Sequence, residues 1–252
     1  MSAIKILIDI GNSRIKWKII SCKSDALTSS ISYQSSNLID QLESSDMYNT
    51  QRKVKNVYIS NVAGDEIKIK LFQWIVDKFN VEPEFAISRK EMCGLINAYQ
   101  HPEMLGVDRF LAMIAGNSLN NYPKVIVDCG TAVTVDSIDS SNKFVGGLIM
   151  PGLNLMRLSL SEQTMAIDNV KSNEKFTLFA TDTASGISSG SILAITSAIE
   201  RVVKKLIEQE GSKVECFLTG GDGKLIQSNL GIQAVYMPDM VIKGLSLYFQ
   251  AK

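Results

Sequence analysis

Hydrophobic residues fall along this chain in two rhythms. The aliphatic run Ile4–Ile8 and the stretch Val57-Tyr-Ile-Ser60 predict buried strands. Elsewhere apolar residues recur three and four positions apart, the spacing of a helix face. Ile67, Leu71, Trp74 and Ile75 follow Gly64-Asp65 in this way, and Val107, Phe110, Leu111 and Ile114 open another helix near Gly106. Ile192, Ile195, Ile199, Val202 and Leu206 give the clearest helix, with Gly211 as its C-terminal stop. Val214–Leu218 reads as a strand, Thr219-Gly-Gly-Asp-Gly223 as a tight turn, and Leu245, Tyr248 and Phe249 as the inner face of a last helix. Serines crowd residues 21–45, but Ile31, Tyr33, Leu38 and Leu42 are interspersed. A polar edge strand and a short helix are expected there rather than disorder. Strands alternating with helices in both halves predict an α/β fold. The breaker-rich stretch Gly116-Asn-Ser-Leu-Asn-Asn-Tyr-Pro123 separates the halves, so domains over 1–117 and 118–252 are expected.

One pattern is written twice. ILIDIGNSRIKW, from Ile6 to Trp17, and VIVDCGTAVTVD, from Val125 to Asp136, each set three aliphatic residues before an Asp, a spacer, a Gly and a small polar residue. The aliphatic run predicts a fully buried strand. At Gly11 and Gly130 the missing Cβ allows a tight turn and close approach of a ligand to the amides. Beyond the turn, Ile15, Trp17 and Ile19 alternate with Arg14, Lys16 and Lys18, and Val133 and Val135 with Thr134 and Asp136, which predicts a hairpin with one wet face. Amides and the side chains of Asn12, Ser13 and Thr131 suit phosphate oxygens, whereas a carboxylate among phosphates needs a cation between them. Two such tips facing each other would hold a polyphosphate with its metal ion. A single copy is often no more than a strand entering a turn, so it is the duplication that points to nucleotide. No GxxxxGK[ST] loop, no GxGxxG after a strand and no HRD with DFG is present.

Composition narrows the partners. At 252 residues, with 45% hydrophobic and 21% charged residues, a packed core is within reach. Basic and acidic residues balance at 26 each, so no global field recruits nucleic acid or an anionic membrane. Cys22, Cys93, Cys129 and Cys216 form no CxxC pair, and a single histidine, His101, makes a Cys/His zinc site a poor expectation. The start MSAIKILIDIG lacks a basic region before a long apolar run, and no apolar run approaches a membrane span. A cytoplasmic protein is expected.

With these residues in view, the chain resembles the type III pantothenate kinases of the acetate kinase–sugar kinase–actin superfamily. The resemblance rests on Asp9-Ile-Gly-Asn-Ser-Arg-Ile-Lys16, Asn97-Ala-Tyr-Gln-His-Pro102, Leu105-Gly-Val-Asp-Arg109, Asp128-Cys-Gly-Thr-Ala-Val-Thr-Val-Asp136, Gly146-Gly-Leu-Ile-Met-Pro-Gly152 and Thr219-Gly-Gly-Asp222, in order across nearly the whole chain. Two places depart from the family pattern. Ser13 stands where Thr is usual and keeps the hydroxyl, and Thr164-Met-Ala-Ile-Asp-Asn169 lacks the Leu-Pro expected after its Ala.

The resemblance implies two duplicated ribonuclease H-like (actin-like ATPase) domains with a cleft between them, and ATP-dependent phosphorylation of pantothenate. It implies ATP contacts from Asp9, Ile10, Gly11, Asn12, Ser13, Arg14, Ile15, Lys16 and Thr131, with Gly220 and Gly221 letting nucleotide approach the backbone. It implies pantothenate contacts from Tyr99, Gly106, Val107, Asp108, Arg109 and Thr183, with Asp108 as base and Thr183 near a dimer interface. Asp9 would bind magnesium directly or through water, and Asp128 a monovalent cation, potassium or ammonium. Plainer readings stand beside these. Asp108 can merely stabilise a helix N-terminus, Arg109 make a surface ion pair, Tyr99 pack under a loop, Lys16 be solvated, and Thr183 cap its helix. A regulatory nucleotide-binding protein of the Bvg accessory factor type, or another small-molecule kinase of the superfamily, is the alternative function. A homodimer is expected, from Thr183 and from the long apolar helix face through Ile199.

Overall fold

The computed structural model describes residues 3–21, 27–32, 38–50, 52–163 and 176–252. Cys22, Tyr33 and the Thr164–Asn169 stretch lie outside the described residues. The chain forms two compact units: Met1–Gly94, Tyr99–Ala115 and Asp239–Lys252 in the first, Leu95–Ala98 and Gly116–Pro238 in the second.

In the first unit the order is β1 (Ile4–Ile10), β2 (Arg14–Ile20), β3 (Ser29–Ser32), α1 (Leu38–Glu43), β4 (Val54–Asn61), α2 (Asp65–Phe79), β5 (Glu84–Phe85) and β6 (Glu91–Met92). After β7 (Leu95–Ile96) a 3-10 turn, Pro102–Met104, leads into α3 (Val107–Asn117). The sheet order is β3-β2-β1-β4-β5, with β1, β2 and β3 antiparallel and β4 and β5 parallel to β1. Period-2 alternation divides β1 between two layers. Ile4, Ile6, Ile8 and Ile10 join Leu42, Leu71, Trp74 and Ile75 in a core beneath α1 and α2. Leu7 and Asp9 therefore share the opposite face.

The second unit contains β8 (Lys124–Cys129), β9 (Ala132–Ile138), β10 (Phe144–Pro151), α4 (Leu153–Gln163), α5 (Thr183–Glu210), β11 (Glu215–Thr219), α6 (Gly223–Gln227) and β12 (Val235–Tyr236). Its sheet order, β10-β9-β8-β11-β12, repeats that of the first unit strand for strand, including the senses of the strands. Val125, Val127 and Cys129 face a core shared with α5 and α6, so Asp128, like Asp9, lies on the other face of its strand. Gly211 ends α5 in the left-handed conformation at φ 61°, as its position after the periodic run predicts.

Three expectations change. The last helix, α7 (Met240–Gln250), falls in the range expected for the second domain, yet it belongs to the first unit, where it packs on β1 and β4. A Cβ on Gly244 would run into the carbonyl of Leu111 on α3, so only glycine admits this backbone-to-backbone crossing; a larger residue faces an overpacking cost of about 1–3 kcal/mol. On β9 the wet face stops early: Thr134 is half-exposed but Asp136 is 1% exposed, and from there to Ile138 the strand is buried on both faces. On α5 the apolar stripe runs Ile192, Ile195, Ile199, Val203 and Leu206, with Val203 taking the core position expected for Val202. That stripe covers the unit's own sheet, so it supplies no free dimerisation face.

Candidate active site

The repeated stretches form the predicted hairpins. In the first, β1 and β2 close through Gly11 N–H donating to the Arg14 carbonyl at 3.0 Å, and Asn12 and Arg14 are exposed at the tip. Asp9, 8% exposed, stands one residue from the end of β1, opposite Lys16 on β2 and Ser60 on β4. Ile10 and Ile15 are fully buried in the core, so they can offer a ligand only backbone. Ser13 is braced by Ser32 of the edge strand, whose hydroxyl donates to its carbonyl at 3.3 Å.

In the second unit Asp128 holds the equivalent position, opposite Thr134 on β9 and Thr219 on β11. This hairpin is one residue tighter: Gly130 N–H donates to the Ala132 carbonyl at 3.1 Å. Its backbone is packed from two sides. Gly152 N–H donates to the Thr131 carbonyl at 2.9 Å, and Asp222 N–H to the Cys129 carbonyl at 3.1 Å. A Cβ on Gly152 would strike the Gly130 carbonyl, and one on Gly220 (φ 88°) would lie 2.5 Å from Asp128 Oδ1. Pro151-Gly152 and Gly220-Gly221 thus supply the close approach that the hairpin backbone needs. Around Asp128 the groups are carboxylate and backbone carbonyl oxygens, the donor chemistry of a hard cation. Thr131 is exposed at the tip. Burial, reinforced by Asp128 and Asp222, pushes the Cys129 thiol far above the ordinary range, and burial lifts that of Cys216 to about 12. Neither thiol is a nucleophile at neutral pH.

The first unit also carries the predicted base. Asp108 sits in the first turn of α3, half-buried, with Oδ1 accepting the Arg109 backbone N–H at 2.8 Å. Burial raises its carboxyl above the usual carboxylate range; the Arg109 N–H and guanidinium pull the other way without cancelling it. Arg109 is 7% exposed, so it is no surface ion pair, and its Nη1 donates to the Tyr99 hydroxyl at 3.1 Å. Asp108, Arg109, Tyr99 and Gly106 gather at the head of α3. Val107 there is buried and presents only its backbone.

Thr183 lies in the second unit as the exposed first residue of α5. The cap of that helix is Asp182, which accepts the Ser185 N–H at 2.9 Å, so the capping alternative for Thr183 does not hold. Sequence reasoning missed two charged residues beside the second hairpin. Asp222 is half-buried, its carboxyl raised by burial against the pull of Arg157, and Arg157 is buried with Nη2 donating to Ser188 Oγ at 2.9 Å. The signal was positional: Asp222 ends the Gly-Gly-Asp turn, and Arg157 lies one helical turn beyond Pro151-Gly152. Two cavities of about 180 and 200 Å³, lined by Leu7, Tyr58 and Phe249 in one unit and Val135, Leu148 and Val202 in the other, hold none of the predicted site residues. Among the described residues no three His, Cys, Asp or Glu side chains cluster as a metal cage, and no helix is long and apolar enough to cross a membrane.

A strand order used twice, each copy ending its first strand in an Asp-x-Gly hairpin, defines an actin-like ATPase fold of two ribonuclease H-like domains. The fold is shared with a structure from Sinorhizobium meliloti assigned as a 2-dehydro-3-deoxygalactonokinase, at TM-score 0.61 and 14% identity over 98% of each chain. A structure from Campylobacter jejuni assigned to the Baf family of transcriptional activators shares it too, at TM-score 0.60 and 21% identity over 97% of each chain. The chain belongs to the type III pantothenate kinase family, whose model matches residues 5–205. The type III pantothenate kinase of Nitrosococcus oceani is 31% identical over 246 residues, covering 96% of this chain and 92% of that one.

The Asp108 environment predicts a stability signature. A carboxyl whose folded pKa is raised binds more protons folded than unfolded, so it costs stability as pH climbs through the window above the ordinary carboxylate pKa. Asp108→Asn should therefore raise the unfolding midpoint at neutral pH, with the gain vanishing towards the acid end where both carboxyls are protonated. Thermal unfolding of both proteins across pH checks this; a lower midpoint for the variant at neutral pH would refute a desolvated carboxylate.

Proposed function

We propose that the protein transfers the γ-phosphoryl group of ATP to the 4′-hydroxyl of pantothenate, the first step of coenzyme A synthesis. The observation that carries this reading is the desolvated Asp108 at the head of α3, beside an Arg109 tied to Tyr99. In a loose phosphoryl-transfer transition state the attacking hydroxyl needs alignment first and loses its proton late. Asp108 accepts that proton, and a carboxyl raised towards working pH is the more effective base. Arg109 has its guanidinium held in place by Tyr99 and offers a fixed fork to the pantothenate carboxylate. Backbone N–H groups, Asn12, Ser13 and Lys16 at the first hairpin, and Thr131 with Gly220 and Gly221 at the second, hold the nucleotide. Asp9 would hold magnesium directly or through water, and the ion would supply charge neutralisation for the phosphates. Asp128, among backbone carbonyls, fits potassium or ammonium. The regulatory alternative has less support, since Asp108 and Asp128 are both retained and Arg109 is buried beside the proposed base.

The protein acts in the cytoplasm as a homodimer in this reading, with Thr183 contributing to a shared pantothenate pocket. Leu155 and Leu158 on α4 and Leu193 on α5 are exposed apolar residues on two helices of the second unit that pack together, and they support an interface there.

A coupled assay with ATP and pantothenate, glucose or acetate tests the substrate, and turnover is expected on pantothenate alone. Asp108→Asn should lower kcat by about 10²–10⁴-fold with the KM for ATP near wild type. Retention of more than roughly a tenth of wild-type turnover, well outside that range, would remove Asp108 as the base. Exchange of potassium for sodium at constant ionic strength should reduce activity, and unchanged rates would rule out a monovalent site at Asp128. Light scattering at assay concentration should give the dimer mass; a fully active monomer would end the shared-pocket reading.

A further inference from the structure

We infer that Ser88 is a positioning residue for the reaction: its hydroxyl fixes the Leu105–Gly106 peptide that sets where the Asp108 carboxylate can lie. The inference rests on the reading of Asp108 as the base.

Only Leu105 and Gly106 separate the 3-10 turn ending at Met104 from α3 beginning at Val107. Leu105 is extended, at φ −71° and ψ 128°, so its carbonyl turns out of both helices. The residue is buried, and a buried carbonyl left without a donor is costly. Ser88 Oγ donates to that carbonyl at 2.8 Å, and Ser88 is itself only 7% exposed. The bond spans 17 positions of sequence, and its donor side is anchored in the sheet. Ala86, two residues before Ser88, donates its N–H to the Ile59 carbonyl on β4 at 2.8 Å.

The acceptor side reaches the base directly. Gly106 accepts the first hydrogen bond of α3, from Phe110 N–H at 3.0 Å. A Cβ on Gly106 would sit 2.7 Å from Asp108 Oδ1, so the Gly106 backbone is one wall of the space the carboxylate fills. The Arg109 N–H holds the same oxygen from the helix side. Rotation of the Leu105–Gly106 peptide would move the wall while leaving α3 intact. The path from sheet to base is therefore β4, Ser88, Leu105, Gly106, Asp108, and its one side-chain link is the Ser88 hydroxyl.

The experiment is steady-state kinetics of the full chain with ATP and pantothenate, for Ser88→Ala and for Ser88→Cys, which keeps the volume but donates weakly. Each should lose about 10–10²-fold in kcat, the scale of a small misplacement of a reacting group, with the KM for ATP unchanged. On an Asp108→Asn background, Ser88→Ala should cost no more than about twofold further, because a residue that acts only through its neighbour is not additive with it. Should Ser88→Ala fail to fold, the near-isosteric cysteine carries the same comparison. Wild-type kcat in the folded variants, or an equal loss on both backgrounds, overturns the inference while leaving Asp108 as the base. If Asp108→Asn itself keeps its turnover, the base reading falls and the Ser88 inference falls with it.

Discussion

A carboxylate near the end of a strand that is otherwise buried must be given a place where its charge is useful, because desolvation alone works against it. Both units meet that constraint at the same lattice point. Asp9 and Asp128 each stand one residue before the end of the first strand, between an antiparallel neighbour and a parallel one. Strand order reverses about that first strand in both sheets, and in open α/β sheets the carboxyl end beside such a reversal is where ligands bind. The Gly that follows, two residues on, turns the chain, its own N–H closing the hairpin in each unit. Much of the remaining architecture serves this point. The aliphatic residues on the opposite face of each first strand bind it to the helices behind, and the second and fourth strands hold it in register.

The two hairpins meet the constraint with different stiffness. The second is one residue tighter and carries backbone packed on backbone at Gly152 and Gly220. The first has a longer tip, open at Asn12, with the Ser32 hydroxyl of the edge strand bracing Ser13. The second hairpin is thus held by backbone on two sides, whereas the first is open to approach at its tip.

The parts of this fold that were legible in the sequence are those with a local cause. Gly64 and Gly211 mark the ends of α2 and α5 because only a few residues take the conformations required there. The doubled Asp-x-Gly stretch revealed the hairpins because strand burial and turn chemistry are both local. What escaped depended on partners distant in sequence. Asp136 sits at an alternating position that reads as wet, yet β9 is buried on both faces from Val135 to Ile138, which alternation within the strand does not reveal. The membership of α7 in the first unit follows from Gly244 meeting Leu111, a contact with no trace in periodicity. Arg157 was given no role and Asp222 only a place in a turn, because nothing nearby in sequence shows that Ser188 meets the one and the Cys129 carbonyl takes the N–H of the other. Asp182 was passed over for Thr183 because both can cap, and one residue of helix phase decides between them.

Helix phase also settles how Asp108 and Arg109 coexist. An adjacent arginine would ordinarily hold a carboxyl down, yet burial wins and the carboxyl is raised. Neighbouring residues on an α-helix point about 100° apart, so consecutive side chains cannot both aim at one spot. Arg109 Nη1 is turned to the Tyr99 hydroxyl, while its backbone N–H donates to Asp108 Oδ1. A direct ion pair between the two would lower the carboxyl, weaken it as a base and occupy the guanidinium. Adjacent but divergent, the two leave a desolvated carboxylate and a tyrosine-tethered guanidinium within a single turn of α3.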